Sequence, residues 1–271
     1  MKRFFICLAF ICLILNASYS QTKIGRAENS LNKDSGRSSS DDDDDSDDVG
    51  FFEEIFGEIF AEAFMYIFYY TLIESPSEEG QPMSYAPLTK YPYCNSDRGN
   101  YNYDIDENYS VFRTELAVRY VTESNTLKGM NLSLDMRFEK RIGVELGYRQ
   151  LWEKNSNLGN DNLALYNLLL KYHRVRTEKF DLWWDIGTTY VDGNVDRFGF
   201  TYGVGSELFF AKPLSLELNF NQTFVNSQTV NKFNVLLNYY YNRFKVMGGY
   251  DHLKIGTQRF SSVTLGVGVI F

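Results

Sequence analysis

Met130-Asn131-Leu132-Ser133-Leu134-Asp135-Met136-Arg137-Phe138-Glu139 is the stretch that decides the fold. Along an extended chain, Met130, Leu132, Leu134, Met136 and Phe138 fall on one side; Asn131, Ser133, Asp135, Arg137 and Glu139 fall on the other. One face suits an apolar medium. The other carries charges that a protein core rejects unless they are paired.

The same alternation extends in both directions. Upstream, Phe112, Leu116, Val118 and Tyr120 oppose Arg113, Glu115 and Arg119. Downstream, Ile142, Val144, Leu146 and Tyr148 oppose Glu145 and Arg149. Further strands set Leu168 and Leu170 against Lys171 and His173, and Leu182, Trp184 and Ile186 against Asp181, Trp183 and Asp185. Phe200, Tyr202 and Leu208 oppose Glu207; Leu216 and Leu218 oppose Glu217; Val235 and Leu237 oppose Asn234 and Asn238. Phe244 and Val246 oppose Lys245 and Met247, and Val263, Leu265, Val267, Val269 and Phe271 end the chain on an outward row. Lipid outside and a polar lumen inside reconcile the two faces. The pattern predicts an all-β, antiparallel up-and-down transmembrane barrel over residues 108–271, with ten strands, or eight or twelve if a weak strand is misread.

The connections predict its orientation. Lys140–Arg141, Val175–Lys179, Ala211–Pro213 and Asn242–Arg243 are tight, whereas Thr122–Lys128, Lys154–Asp161, Val191–Arg197, Val225–Thr229 and Leu253–Arg259 are longer and polar. Short turns belong on the periplasmic side and longer loops outside. Many of the 42 Tyr and Phe residues sit at strand ends, where rings form interfacial girdles.

The rest of the chain reads differently. Lys2 and Arg3, the apolar run Phe4–Leu15 and small residues ending at Ser20 form a secretory signal over residues 1–20. Cys7 and Cys12 leave with it, so Cys94 is the one mature cysteine and is expected to be a plain thiol in a linker. Residues 21–107 hold 6 Lys+Arg against 20 Asp+Glu, a net −14; residues 108–271 hold 19 against 15, a net +4. The acidic excess centres on Asp41–Asp45, Asp47 and Asp48, so residues 21–50 are expected to be a disordered spacer.

Residues 51–74 carry a helical period. Glu54, Glu58 and Glu62 share one face, and Phe52, Ile55, Phe56, Ile59, Phe60, Ala63 and Phe64 form the contact surface away from it. As a helix, residues 51–73 would be about 35 Å long. The readings are an interfacial helix in the inner leaflet, a helix docked in a groove of a periplasmic or membrane partner, or, least favoured, a plug in the barrel. Residues 75–107, rich in Pro, Ser, Tyr and Asn, are expected to be a linker.

Taken together, the signal peptide, the alternating hairpins and the terminal aromatic resemble the outer-membrane β-barrel proteins of Gram-negative bacteria. The resemblance covers residues 108–271. It implies residence in outer-membrane lipid, and recognition of the last strand (Val263, Leu265, Val267, Val269, Phe271) by the barrel assembly machinery.

Chemistry is sparse. His173 and His252 fall towards opposite ends of different strands, and Asp251 points away from its neighbour His252. No nucleophile or base stands out, so no catalytic residue, metal, cofactor or nucleic-acid partner is expected. The inward charges Arg113, Glu115, Arg119, Asp135, Arg137, Glu139, Glu145, Arg149, Asp181, Asp185, Glu207 and Glu217 have mixed signs and predict a lumenal ion-pair network. Inward glycines such as Gly147, Gly205 and Gly266 leave room for the long side chains opposite. The expected function is that of a small non-enzymatic outer-membrane barrel with a structural, adhesive or accessory role; the alternative is a narrow channel or small-solute transporter. A soluble lipocalin-like binder would need an apolar cavity, which the polar inner faces deny.

Overall fold

A computed structural model describes residues 22–32, 85–104, 109–138, 140–155, 159–226 and 228–271. The signal segment, the Asp41–Asp48 run, the Phe-rich stretch 51–74 and Glu139 lie outside the described residues.

Ten antiparallel strands close into a barrel: β3 (Phe112–Thr122), β4 (Leu127–Phe138), β5 (Ile142–Asn155), β6 (Gly159–Arg176), β7 (Phe180–Asp192), β8 (Arg197–Ala211), β9 (Leu214–Val225), β10 (Gln228–Tyr241), β11 (Phe244–Ile255) and β12 (Gln258–Ile270). Each pairs with its sequence neighbour, and β12 closes on β3 with Val267 opposite Val118. Phe271 extends that seam, exchanging both backbone hydrogen bonds with Thr114 at 2.8 and 3.2 Å. Closure leaves no unpaired edge for lipid to meet. Leu134 sits opposite Leu116 on one side and Leu146 on the other, so the apolar face of Met130–Phe138 lies in an outward apolar belt. On β12 that belt is most open: Val263, Leu265 and Val267 are 61–66% exposed.

The loops differ from expectation. The five polar links do not form long loops, because cross-strand pairing runs on through their polar residues: Gln228 still pairs with Val225, and Gln258 with Ile255. What remains is four residues at 123–126 and 193–196, three at 156–158, and two at 226–227 and 256–257. Asn226 and Gly256 supply the left-handed backbone such tight hairpins need, with φ of 54° and 55°. The opposite connections are similarly short, so the ends are better named by what fills them. The end bearing residue 271 is the turn end; the other is the loop end.

Two ordered pieces outside the barrel correct the expected organisation. Within the stretch expected to be disordered, Lys23–Asn32 forms a helix, α1. Its stripe of Ile24, Ala27 and Leu31 is fully buried against a collar at the loop end, including Val121, Leu151, Leu163, Val191, Val225, Leu253 and Phe260. The acidic run does not extend its character back to residue 23; the local i, i+3, i+7 apolar spacing, with a surface to bury against, decides instead. Within the expected linker, residues 85–104 fold across the turn end. There β1 (Leu88–Thr89) pairs with β2 (Tyr109–Ser110), and Tyr93 packs edge-on against Phe209 at 5.7 Å and Tyr240 at 6.0 Å. Cys94 is buried there. A Tyr- and Asn-rich sequence suits this position because rings fill the mouth while amides bond to the polar lumen.

Candidate functional site: a lumen closed at both ends

The inward faces of β3–β12 enclose a core of paired charge. Near the turn end, Asp181 is fully buried and accepts from Arg137 Nη1 at 2.7 Å and Asn100 Nδ2 at 2.9 Å, with His173 Nδ1 at 2.8 Å. Across from it, Glu207 accepts from Ser215 Oγ at 2.5 Å, Tyr240 OH at 2.6 Å and Asn238 Nδ2 at 3.2 Å. At mid-height Lys171 Nζ lies 2.6 Å from Asp135 and 2.5 Å from Glu145, and sits 5.3 Å over the Trp183 ring. Lys245 bridges Glu115 at 2.9 Å and Glu217 at 3.1 Å. Higher still, Arg149 on β5 reaches across the lumen to Asp251 on β11 with two parallel bonds of 2.8 and 2.6 Å. Asp185 accepts from Asn221 at 2.8 Å. A ladder of Thr189, Thr201 and Thr223 hydroxyls, 2.7 and 2.9 Å apart, ends the polar zone below the apolar collar.

Of the inward charges named from the sequence, nine fall within these contacts, Arg113 joins them through Asn100 at 2.7 Å, and Arg119 packs beside Gly266, where a Cβ would stand 2.5 Å from its Cγ. Lys171, His173, Lys245 and Asp251 carry the network equally, and their inward register was the available signal; they belong with the named charges. Lys232 also lines the lumen. The two histidines are separated by the barrel wall: His173 is buried inside, whereas His252 lies outside with Tyr250 and Ser261. Among the described residues no three His, Cys, Asp or Glu side chains converge to hold a metal ion.

Glycines shape this interior at two places in particular. A Cβ on Gly205 would stand 2.4 Å from the Trp183 indole, which lies flat on that gap beside Lys171. Gly205→Val is therefore expected to cost about 1–3 kcal/mol by overpacking, read as a shift in the urea midpoint of the reconstituted protein. An unchanged midpoint would mean that the indole has somewhere else to go. At the loop end, a Cβ on Gly256 would meet Ser30 Oγ of α1 at 1.9 Å, so that turn admits the helix only with glycine.

Both mouths are tied shut. Thr22 caps α1, its Oγ1 accepting from Gly25 N at 3.0 Å, and Ile24 N donates to Glu153 at 2.9 Å. Thr22 also bonds Asp161, and Lys23 pairs with Glu123 at 2.6 Å. Glu28, although buried, accepts from Asn194 N and Nδ2 at 2.9 and 2.7 Å, and Asn226 closes the last turn on Leu31 O at 3.0 Å. At the turn end, Asn100 is the keystone: besides Asp181 it donates to Glu207 at 3.2 Å and accepts from Arg113 at 2.7 Å, while Arg113 also donates to Thr89 O at 3.1 Å. Tyr93 OH donates to Leu214 O at 2.5 Å and Tyr101 OH to Lys140 O at 3.1 Å. Burial pushes the Tyr93 phenol up to about 12, with the Glu207 carboxylate adding to the effect. Burial, with Asp181 adding, raises Tyr101 as well.

One void between the mouths is about 40 Å³, bordered by Asn131, Arg149, Asn221, Thr223, Lys232 and Leu253 among others. Its size and polar walls suit a few water molecules and nothing larger.

No protein-family model matches the sequence, and no curated protein matches it. Solved structures similar to it are barrels. The KdgM porin is 14% identical with a TM-score of 0.39, over 58% of this chain and 99% of its own. An outer-membrane channel from Pseudomonas putida F1 is 11% identical with a TM-score of 0.40, over 62% and 100%. The Yersinia pestis outer membrane protein Ail is 14% identical with a TM-score of 0.34, over 59% and 99%. Likeness at this level carries no argument about activity. The closed sheet, the apolar belt and the polar interior make this chain an outer-membrane β-barrel protein, with its strands in the lipid bilayer.

Proposed function

We propose that this is a non-conducting, non-enzymatic outer-membrane barrel with a structural or accessory role. The observation that carries the reading is the lumen: charge pairs join its walls, and ordered segments stop both ends. Loops of two to four residues offer little surface for adhesion, so the structural role is favoured over the adhesive one. The runner-up, a narrow channel, would need the Arg149–Asp251 and Lys171–Asp135 pairs to part.

Purified protein in planar bilayers is therefore expected to show no single-channel steps. Clear, reproducible ion steps would overturn the proposal.

Assembly follows the same reading. We propose that the outward row ending at Phe271 is what the barrel assembly machinery engages. Phe271→Ser is expected to lower severalfold the fraction of protein that migrates as a heat-modifiable band, with the soluble yield unchanged. An equal folded fraction would remove that role from Phe271.

A further inference from the structure

The two stoppers come from one stretch of chain but sit at opposite ends of the barrel. Helix α1 ends at Asn32 in the loop-end collar, and the described chain resumes at Tyr85 at the turn end. Residues 33–84 must therefore get from one side of the bilayer to the other. The lumen offers them no open route, since Arg149 and Asp251 touch across it and the void that Arg149 lines is about 40 Å³. This step rests on the closed lumen argued above.

We propose that residues 51–73 cross the membrane outside the barrel, seated against the lipid-facing side of β4–β7. Three observations commit the occupant to that segment. Within 33–84 it is the long apolar stretch, and its 23 residues as a helix would reach about 35 Å, enough to span a hydrocarbon core of about 30 Å. The barrel wall carries a depression of about 540 Å³ there. Its mid-height portion is apolar, with Leu134, Leu146 and Leu168, and its loop-side portion carries Tyr148, Tyr166 and Tyr190 in a ladder of rings 4.9 and 6.1 Å apart.

The chemistry of the two surfaces matches end for end. The chain enters from the loop end, so Glu53 and Glu54 come first, towards the outer headgroups, Glu58 lies in the outer half, Glu62 falls near the middle, and the uncharged Ala63–Ile73 fills the inner half. A carboxylate at the centre of a membrane helix costs about 3 kcal/mol and less near the interface. Turning the glutamate face towards the loop-side ladder, whose Tyr148 and Tyr190 hydroxyls hold Gln150 and Asp196, keeps the carboxylates beside polar groups and gives the phenylalanine face to lipid. A helix lying flat in the inner leaflet satisfies neither anchor.

Site-directed cysteines on a Cys94→Ala background test this in intact cells. Ser38→Cys is expected to react with a membrane-impermeant maleimide, and Ser77→Cys only after the outer membrane is permeabilised. Equal labelling of both from one side would end the crossing altogether. Oxidative crosslinking then locates the path. Met65→Cys, on the glutamate face near the middle of the segment, is expected to pair with Leu168→Cys in the depression at least severalfold more than with Val267→Cys on the far face. A dominant pair with Val267→Cys, or with neither, would place the crossing elsewhere and overturn the seat. A dominant pair with lumenal Asn221→Cys would instead show that the chain threads the barrel, and the closed lumen itself would fall.

Discussion

Replacing Lys171 with Met is expected to destabilise the barrel by about 3–5 kcal/mol, the usual penalty for stranding a buried charge. Lys171 is the single cation within 2.6 Å of both Asp135 and Glu145; Lys171 and Glu145 are buried, and Asp135 keeps less than a fifth of its side chain accessible. Methionine keeps much of the volume and removes the ammonium, so packing alone should not explain a loss. Two carboxylates then face each other with little solvent to recruit. Urea unfolding in lipid vesicles measures the effect. A loss under about 1 kcal/mol would mean that water reaches this layer, and the sealed interior would be wrong. The triple change Lys171→Met, Asp135→Leu, Glu145→Gln should recover most of the stability, because a satisfied apolar layer can replace an ion-paired one.

The second large effect is expected at the loop end. Fully burying an Ile or Leu side chain is worth about 1.5–3 kcal/mol, and Ile24 and Leu31 are both fully buried in the collar. Ile24→Asp with Leu31→Asp should therefore release α1 while the strands stay paired. Amide exchange over residues 23–32 should then quicken by at least about 100-fold, since each factor of ten corresponds to 1.4 kcal/mol. Exchange in β3–β12 should hardly change. If the helix keeps its protection, its polar ties through Glu28, Glu153 and Asn226 hold it without the apolar stripe. If the strands lose protection too, α1 is part of the barrel's own stability.

What was legible in the sequence follows from how strongly each part is constrained by its surroundings. A strand between lipid and a polar lumen shows its two media in every second residue, so Met130–Glu139 gave its faces directly and the ten strands with them. Register also placed Asp181 and Arg137 inside. It did not say that Asn100, from a stretch without alternation, would bond Arg113, Asp181 and Glu207 together. Stoppers such as α1 escape for the same reason: Ile24, Ala27 and Leu31 make a stripe only three residues deep, beside a run of aspartates that dominates any composition window. Loop length failed differently. Polar residues such as Gln228 and Gln258 look like loop, yet they pair as strand above the bilayer, where water is available to both sides of the hairpin.

The stopped lumen has a consequence for the cell that holds it. An outer membrane protects by excluding bile salts, dyes and hydrophobic antibiotics, and each open barrel set in it is a leak in proportion to its copy number. If its lumen is closed as proposed, this barrel adds none. Such a protein can be made in abundance, packed densely among the lipids and used as a fixture of the envelope, without loosening the barrier it is built into.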